Sequence, residues 1–255
     1  MYTFYGLCFF ITGIFLGSFY NVVGYRIPKG ESIIYPSSHC TKCNHNLKFY
    51  ELIPILSFIF LGGKCKKCKT KISMFYPIFE FITGLAFLIS YMIFGISLEC
   101  LYSIIFLSML IIIIISDYQT MIIPDSILIF FMFLLMLCKY FMSNIEVVGI
   151  YLLHALGAFA FMFLIKILGD FIFKKESMGG GDIKLLAVFG FVLGVPLSII
   201  SVFLAALIAL PISLIILKIN KSHEIQFGPF LAISSIIIFL FQIDIKTIID
   251  FLTIL

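Results

Sequence analysis

The stretch 183–217 constrains this chain more than any other, because Lys184 is its only charged side chain. A helix needs about 20 apolar residues to cross a hydrocarbon core of about 30 Å. The stretch is therefore too long for one ordinary membrane span and short for two. Glycine and proline interrupt helices, and Gly194-Val195-Pro196 supplies both near its middle. We predict two spans that meet at this break, because with the N-terminus outside a single crossing would place Lys218 and Lys221 outside, against the tendency of basic residues to remain inside.

Six further apolar segments are separated by polar loops. The chain has 62% hydrophobic and 12% charged residues, which is typical of a membrane protein with several spans rather than of a soluble domain. The predicted spans are 2–25, 77–94, 98–116, 126–141, 147–168, the two halves of 183–217, and 227–241. We therefore predict an all-α polytopic membrane fold with eight transmembrane helices. We find no internal repeat.

The charge is concentrated in the segment 26–71, where nine Lys or Arg face two Glu, a net charge of +7 against +4 for the whole chain. Basic segments between spans tend to remain in the cytoplasm, although such a segment could also bind anionic lipid or nucleic acid. We expect the N-terminus outside. The predicted domains are a first span at 1–25, a cytoplasmic zinc-binding region at 26–75 and a seven-helix core at 76–255.

The basic segment contains two C-x-x-C pairs, Cys40/Cys43 and Cys65/Cys68. Four thiolates in two such pairs predict a tetrahedral structural zinc site, which would supply folding energy that this small polar region lacks. A redox pair or a disulfide is the alternative, and His39 or His45 could replace one thiolate. The other three cysteines are expected to be small buried residues: Cys8, Cys100 and Cys138.

Two aspartates lie at the predicted ends of spans. Asp117 begins a polar break, 117–120, after the third span, and Asp182 follows three glycines where a helix N-cap would stand. With the N-terminus outside, both carboxylates fall on the cytoplasmic face. Two close carboxylates hold one proton between them and can activate water, as in aspartic proteases, and the helix N-terminus favours an ionised Asp182. The glycines would act as a hinge for Asp182.

Simpler roles compete with this chemistry. Asp182 could be a plain N-cap and Asp117 a solvated residue at a helix end. Asp125 follows Pro124 and is expected to cap the fourth span. Glu80 lies about one turn inside the second span, where an unpaired charge is costly, so we expect it to pair with a basic residue of 26–71.

Several longer motifs accompany these residues. They are Gly17-Ser18-Phe19-Tyr20-Asn21, Tyr25-Arg26-Ile27-Pro28, Leu52-Ile53-Pro54-Ile55-Leu56-Ser57, Tyr76-Pro77-Ile78-Phe79-Glu80, Ile123-Pro124-Asp125, Gly179-Gly180-Gly181-Asp182-Ile183-Lys184-Leu185-Leu186 and Phe227-Gly228-Pro229-Phe230. With the cysteine pairs and Asp117, this order over nearly the whole chain closely resembles the type IV prepilin peptidases, membrane aspartic peptidases of the Gly-x-Gly-Asp kind.

The resemblance implies cleavage of the leader of type IV prepilins and pilin-like proteins after a glycine at the cytoplasmic face. Asp117 and Asp182 match the family's catalytic pair. The residues expected to shape the site are Gly179, Gly180, Gly181, Lys184, Pro124 and Asp125. The resemblance also implies N-methylation of the new N-terminal residue with S-adenosylmethionine, an activity that the family associates with the cysteine-bearing region. No glycine-rich fingerprint indicates where the methyl donor binds.

We accordingly expect the bacterial cytoplasmic (inner) membrane as the location, and a prepilin and the lipid bilayer as partners, without nucleic acid. The sequence does not indicate the oligomeric state. One alternative function is a zinc-stapled membrane transporter in which carboxylates relay protons. Another is a membrane thiol oxidoreductase that uses the C-x-x-C pairs.

Overall fold

The computed structural model of the 255-residue chain describes residues 1–220 and 226–246. This part is helical and contains no β-strand, so the predicted all-α fold is confirmed. Its α-helices are α1 (Tyr2–Arg26), α2 (Leu56–Phe60), α3 (Phe75–Phe94), α4 (Leu98–Thr120), α5 (Asp125–Met142), α6 (Ile145–Phe173), α7 (Gly180–Leu193), α8 (Val195–Asn220) and α9 (Gly228–Leu240).

Six of the described helices are long and apolar enough to cross a membrane, and these are α1, α3, α4, α5, α6 and α8. The chain is therefore an integral membrane protein. The helices α7 and α9 have 14 and 13 residues, fewer than the roughly 20 that an ordinary span needs. The count of eight spans stays a prediction.

The predicted interruption of 183–217 is confirmed, because α7 ends at Leu193 and α8 begins at Val195. Gly194 lies between them with φ +83°, in the left-handed region that glycine adopts without steric cost. One further proline, Pro211, lies inside α8 without ending it.

Two predicted span ends differ from the helix ends. The residues 117–120, predicted as a polar break, form the last turn of α4, where the Thr120 hydroxyl donates to the Ser116 carbonyl at 2.8 Å. Helix α6 likewise continues to Phe173, beyond the predicted 168. Backbone hydrogen bonds can continue after the side chains become polar. Hydropathy therefore marks the membrane boundary rather than the end of a helix.

Contacts divide the chain into two compact units, Met1–Thr120 and Met121–Leu255. The first unit contains α1 to α4 and the cysteines of the basic segment, and the second contains α5 to α9. This division differs from the predicted domain boundaries at 25 and 75, which remain predictions.

In the first unit, small residues bring α1 and α3 together. A Cβ on Gly13 would lie 2.8 Å from the Gly84 Cα, and one on Gly17 would lie 2.9 Å from the Glu80 Cα. Membrane helices use such small residues, four apart, to approach closely. Any larger side chain at Gly13 or Gly17 would separate the two backbones.

Hydrogen bonds then connect this pair of helices to α4. The Tyr20 hydroxyl of α1 donates to the Ser108 hydroxyl at 2.8 Å, and the Ser90 and Ser103 hydroxyls lie 2.8 Å apart between α3 and α4. All four side chains are buried. Hydrogen bonds between membrane helices contribute about 0.6 kcal/mol on average. The first unit is therefore held by close backbone contact and by a few buried hydroxyls.

In the second unit, α7 packs tightly against α6. A Cβ on Gly190 would lie 2.6 Å from both the Ala158 Cβ and the His154 carbonyl oxygen. Because only glycine fits there, the middle of α7 is held against α6, and its first turn, which carries Asp182, is held with it.

Candidate functional site

Asp117 lies in the last turn of α4 and is 6% exposed. The next residue, Tyr118, stacks its ring on Phe75 of α3 with 5.0 Å between the centroids, and the preceding Ser116 is fully buried. The alternative in which Asp117 is a solvated residue is therefore wrong. Aspartate is rarely buried without a specific role, so its burial marks a candidate functional group.

Asp182 is the third residue of α7, which begins at Gly180 with Gly179 as its N-cap. The prediction that Asp182 itself is the N-cap is therefore wrong. A Cβ on Gly179 would lie 3.7 Å from the Asp182 Oδ2, so the carboxylate lies near the backbone of the capping residue. In the first turn, the partial positive charge of the helix N-terminus favours an ionised carboxylate.

The glycines before Asp182 have unequal surroundings. A Cβ on Gly181 would lie 2.8 Å from the Ile123 Cβ, whereas a Cβ on Gly180 would meet nothing within 4 Å. Both residues are helical, and neither has a positive φ. The structure therefore gives Gly181 a packing role against the segment before α5. The proposed hinge stays a hypothesis.

An ion pair connects the first turns of α5 and α7. The Lys184 Nζ donates to both carboxylate oxygens of Asp125 at 2.7 Å. Asp125 is the first residue of α5 and the buried Pro124 is its N-cap, so the predicted capping role of Asp125 is wrong. Both side chains of the pair are about half exposed, so its net contribution to stability is at most about 1 kcal/mol. Its two bonds orient one helix start against the other.

A second contact, which sequence reasoning missed, positions the loop before Gly179. The Asp170 Oδ1 accepts hydrogen bonds from the Ser177 backbone N–H at 2.6 Å and from its hydroxyl at 2.8 Å. This folds the loop back on the end of α6, two residues before Gly179. An aspartate seven residues before a serine is too common a pattern to have indicated it.

Glu80 does not pair with a basic residue, so that prediction is wrong. Its Oε2 accepts a hydrogen bond from the Ile55 backbone N–H at 2.7 Å. Glu80 is only 7% exposed.

The four cysteines of the basic segment come together in the first unit. The Cys40 and Cys68 sulfurs lie 3.7 Å apart, the Cys43 and Cys65 sulfurs 3.9 Å apart, and all four sulfurs lie within 4.8 Å of one another. A tetrahedral zinc with bonds of about 2.3 Å requires sulfurs about 3.8 Å apart. The cluster therefore has the ligands and the spacing to hold zinc.

Each cysteine pair lies in a tight turn, and the two turns match. In the first, the Asn44 N–H donates to the Cys40 carbonyl at 2.9 Å, and the Cys40 N–H donates to the His45 carbonyl at 3.0 Å. Asn44 has φ +53°. The residues on either side, His39 and Asn46, form an isolated bridge.

The second turn repeats these features 25 residues later. The Lys69 N–H donates to the Cys65 carbonyl at 2.9 Å, the Cys65 N–H donates to the Thr70 carbonyl at 2.8 Å, and Lys69 has φ +59°. Lys64 and Lys71 form the equivalent bridge. The finding that the chain has no internal repeat is therefore wrong for this region: two equal turns supply two ligands each.

The nearby histidines do not replace a thiolate. The His39 Nδ1 lies 2.9 Å from the Ser37 carbonyl, and the His45 Nε2 lies 3.3 Å from the Glu51 Oε2. Glu51 is 6% exposed. The hydrogen bond from the Lys48 backbone N–H lowers the pKa of the Glu51 carboxyl most, and His45 lowers it further. Glu51 thus holds His45 beside the first turn.

The thiols of the cluster do not hold their protons equally. Hydrogen bonds from the Thr70 hydroxyl and backbone lower the pKa of Cys68 to about 6. The His45 N–H lowers the pKa of Cys43, but desolvation and the three neighbouring thiols outweigh it and raise that pKa to about 11. Because zinc binds thiolates, the lowered pKa of Cys68 favours metal binding at that ligand.

Of the remaining cysteines, Cys100 and Cys138 are buried as predicted, whereas Cys8 is exposed on α1, so that prediction is wrong for Cys8. None of the seven cysteines, all of which lie in the described residues, forms a disulfide.

Two family models match the chain. The bacterial peptidase A24 N-terminal domain matches residues 11–94, which include the four-cysteine cluster. The type IV leader peptidase family matches residues 104–214, which include Asp117 and Asp182.

Curated relatives called prepilin leader peptidase/N-methyltransferase are similar over most of their length. The Bacillus subtilis (strain 168) protein is 41% identical over 91% of this chain and 92% of its own. The Neisseria gonorrhoeae protein is 29% identical over 90% of this chain and 88% of its own. The Legionella pneumophila protein is 29% identical over 90% of this chain and 90% of its own. No solved structure matches the chain.

Fold and site together define an all-α integral membrane protein with a four-cysteine cluster and two carboxylates at helix ends. The two family models together cover the cysteine cluster and both aspartates. The chain belongs to the type IV leader peptidase family. Membership in a peptidase family gives no support to the transporter or thiol oxidoreductase alternatives.

Proposed function

We propose that the chain cleaves the leader from type IV prepilins and pilin-like proteins after a glycine, with Asp117 and Asp182 as its catalytic carboxylates. The observation that carries the proposal is that a buried aspartate and an aspartate in the first turn of a helix both lie within the residues 104–214 that match the peptidase family. Asp117 belongs to the first unit and Asp182 to the second, and their joint action is part of the proposal.

In the proposed reaction, the ionised carboxylate takes a proton from water while the water oxygen attacks the scissile carbonyl carbon. The protonated carboxyl gives its proton to the carbonyl oxygen, forming a tetrahedral intermediate. As the C–N bond breaks, the carboxyl that took the proton from water gives it to the leaving amine, and the other carboxylate takes a proton back from a hydroxyl of the intermediate. The helix N-terminus favours Asp182 as the ionised partner. Asp117 is then the partner that holds the proton.

We also propose that the chain N-methylates the residue that cleavage exposes, with S-adenosylmethionine as the donor of the methyl group. The names of its relatives support this activity, and the family resemblance associates it with the region that contains the cysteine cluster. The residues that bind the donor are not assigned.

For the cluster itself, we propose that Cys40, Cys43, Cys65 and Cys68 hold a structural zinc ion. Bound zinc would supply folding energy to a region with few apolar contacts of its own. The sulfur spacing and the two matching turns support this ligand set. Because four thiolates fill a tetrahedral site, we assign the metal no part in cleavage.

We further propose that the protein lies in the bacterial cytoplasmic membrane with eight spans and its N-terminus outside. The cysteine region and both aspartates would then lie on the cytoplasmic side. The positive charge of 26–71 supports this orientation, since basic segments tend to remain inside. The domains 1–25, 26–75 and 76–255 follow from the same topology.

Detergent-solubilised protein tests the function directly. The substrate is a synthetic prepilin segment with a basic leader, a glycine and a phenylalanine that opens an apolar helix. Mass spectrometry should show cleavage after the glycine. With labelled S-adenosylmethionine, the label should appear on the new N-terminus. A folded, zinc-containing preparation that leaves the substrate intact would contradict the proposal.

A further inference from the structure

The segment 52–63, between the two cysteine turns, is the longest apolar run of the basic region. It contains no charged residue, is bounded by Glu51 and Lys64, and includes the short helix α2. Three of its large side chains are well exposed: Leu56 at 51%, Ile59 at 64% and Phe60 at 83%. Three exposed apolar side chains in so short a segment are expected to contact something other than water.

The segment lies beside the middle of α1 rather than at its end. Ile53 and Leu56 line an apolar cavity of about 420 Å³ together with Ile14 and Phe15. Ile14 lies twelve residues before Arg26, the last residue of α1, which is about 18 Å along the axis. Helix α1 has 25 residues and is thus about 38 Å long. If α1 spans a hydrocarbon core of about 30 Å, at most about 8 Å of the helix can extend beyond the core at the Arg26 end. Ile14 then lies at least about 10 Å inside the core boundary at that end.

Glu80 gives an independent measure of the same depth. Its carboxylate accepts the Ile55 N–H at 2.7 Å, and its Cα would lie 2.9 Å from a Cβ on Gly17. Gly17 lies nine residues before Arg26, about 14 Å along α1. Ile55 itself is therefore held at a level inside the span.

Most backbone N–H groups of the segment have acceptors, as a hydrocarbon environment requires. An unpaired peptide N–H there costs several kcal/mol. Ile55, with φ +59°, precedes α2 and donates its N–H to Glu80, whereas Pro54 has no N–H to satisfy. The Ser57 N–H donates to the Ile53 carbonyl at 3.0 Å. This arrangement also explains why a buried carboxylate lies within α3.

We propose that residues 52–63 form a re-entrant segment that enters the bilayer from the side of the cysteine cluster. Leu56, Ile59 and Phe60 contact lipid acyl chains, and the Glu80 carboxylate anchors the entry of the segment. The exposed Lys64 and Lys67 follow at the level of the lipid headgroups. The segment thus fastens the cysteine cluster to the membrane surface. This inference requires only that α1 spans the membrane, and not the proposed catalytic roles.

The chain contains no tryptophan, so a single introduced one reports its own surroundings. Phe60→Trp places the probe in the segment. Phe49→Trp is the matched control, because Phe49 is 82% exposed, close to the 83% of Phe60, but precedes Glu51. Both proteins are checked for equal zinc content and then reconstituted in phosphatidylcholine–phosphatidylglycerol vesicles. Ile59→Trp replaces Phe60→Trp if the latter does not fold.

We expect the Phe60→Trp emission to be blue-shifted, quenched more than twofold by lipids brominated on their acyl chains, and insensitive to aqueous iodide. The Phe49→Trp emission should show the reverse. Iodide quenching of both tryptophans would overturn the insertion. Acyl-chain quenching of both would overturn the assignment to 52–63 alone.

The anchor is tested in the Phe60→Trp protein. Glu80→Leu removes the acceptor of the Ile55 N–H and should raise iodide quenching at least twofold, whereas Glu80→Gln retains an acceptor oxygen and should not. Equal quenching in the two variants would overturn the role of Glu80.

Discussion

The cysteine cluster and the two aspartates are assembled in opposite ways. The four cysteines belong to one unit, lie within 28 residues of one another in sequence, and are held by two equal turns. Asp117 and Asp182 belong to different units, at the end of one helix and the start of another. Local backbone geometry sets the position of the cysteines, whereas the packing of whole helices sets that of the aspartates.

This difference predicts how each site fails. A change in a cysteine turn should act locally on the cluster. A change that shifts α7 should act on Asp182 from a distance, because even a displacement of about 1 Å can reduce catalysis about 100-fold.

Loss of either carboxylate should have the largest effect. Asp117→Asn or Asp182→Asn should reduce prepilin cleavage by about 10³-fold or more, because neither amide can transfer the required protons. The measurement is the initial rate of leader release by purified protein.

The matched controls are Glu99→Gln, in the first turn of the helix that carries Asp117, and Glu146→Gln, in the first turn of α6. Both should cleave at near the wild-type rate. Near-normal cleavage by Asp182→Asn would remove Asp182 from the chemistry.

Loss of a zinc ligand should reduce N-methylation much more than cleavage. Cys65→Ser changes the most buried of the four cysteines and should reduce bound zinc and N-methylation more than about 10-fold, while it reduces cleavage much less. Metal analysis and transfer of labelled methyl groups measure the effect. Cys8→Ser, at an exposed position of α1, should change neither. Full methylation without zinc would contradict the link.

The glycines before Asp182 test the role of helix packing. Gly181→Val should reduce cleavage about 10- to 100-fold, because its side chain would collide with Ile123 and displace the first turn of α7. Gly180→Ala faces open space and should have little effect. Near-wild-type cleavage by both variants would contradict both the packing role of Gly181 and the hinge hypothesis, whereas equal slowing of both would favour the hinge over packing.

The Lys184–Asp125 ion pair should have the smallest effect. Lys184→Met should slow cleavage about two- to fivefold through kcat rather than KM, since the pair is half exposed and positions α7 without contacting substrate. The charge-reversed double variant, Asp125→Lys with Lys184→Asp, should recover part of the loss. Absence of any recovery would show that Lys184 acts in another way.

The sequence predicted the cysteine cluster almost completely, because the spacing of two C-x-x-C pairs determines a local turn. The break at Gly194 was equally local. Hydropathy failed at the end of α4, where the helix continues through Asp117 after the apolar run stops. It also could not reveal that Asp125 pairs with Lys184 or that Glu80 bonds to Ile55. Those contacts depend on which helix starts and loops come together in space.

The most direct test of two separate sites measures both activities in the Asp182→Asn and Cys65→Ser variants. Each is given an intact prepilin segment and a segment already cleaved after its glycine. We predict that Asp182→Asn leaves the intact segment uncut but methylates the cleaved one at near the wild-type rate. Cys65→Ser should cut the intact segment but methylate neither. Equal loss of both activities in both variants would contradict the account.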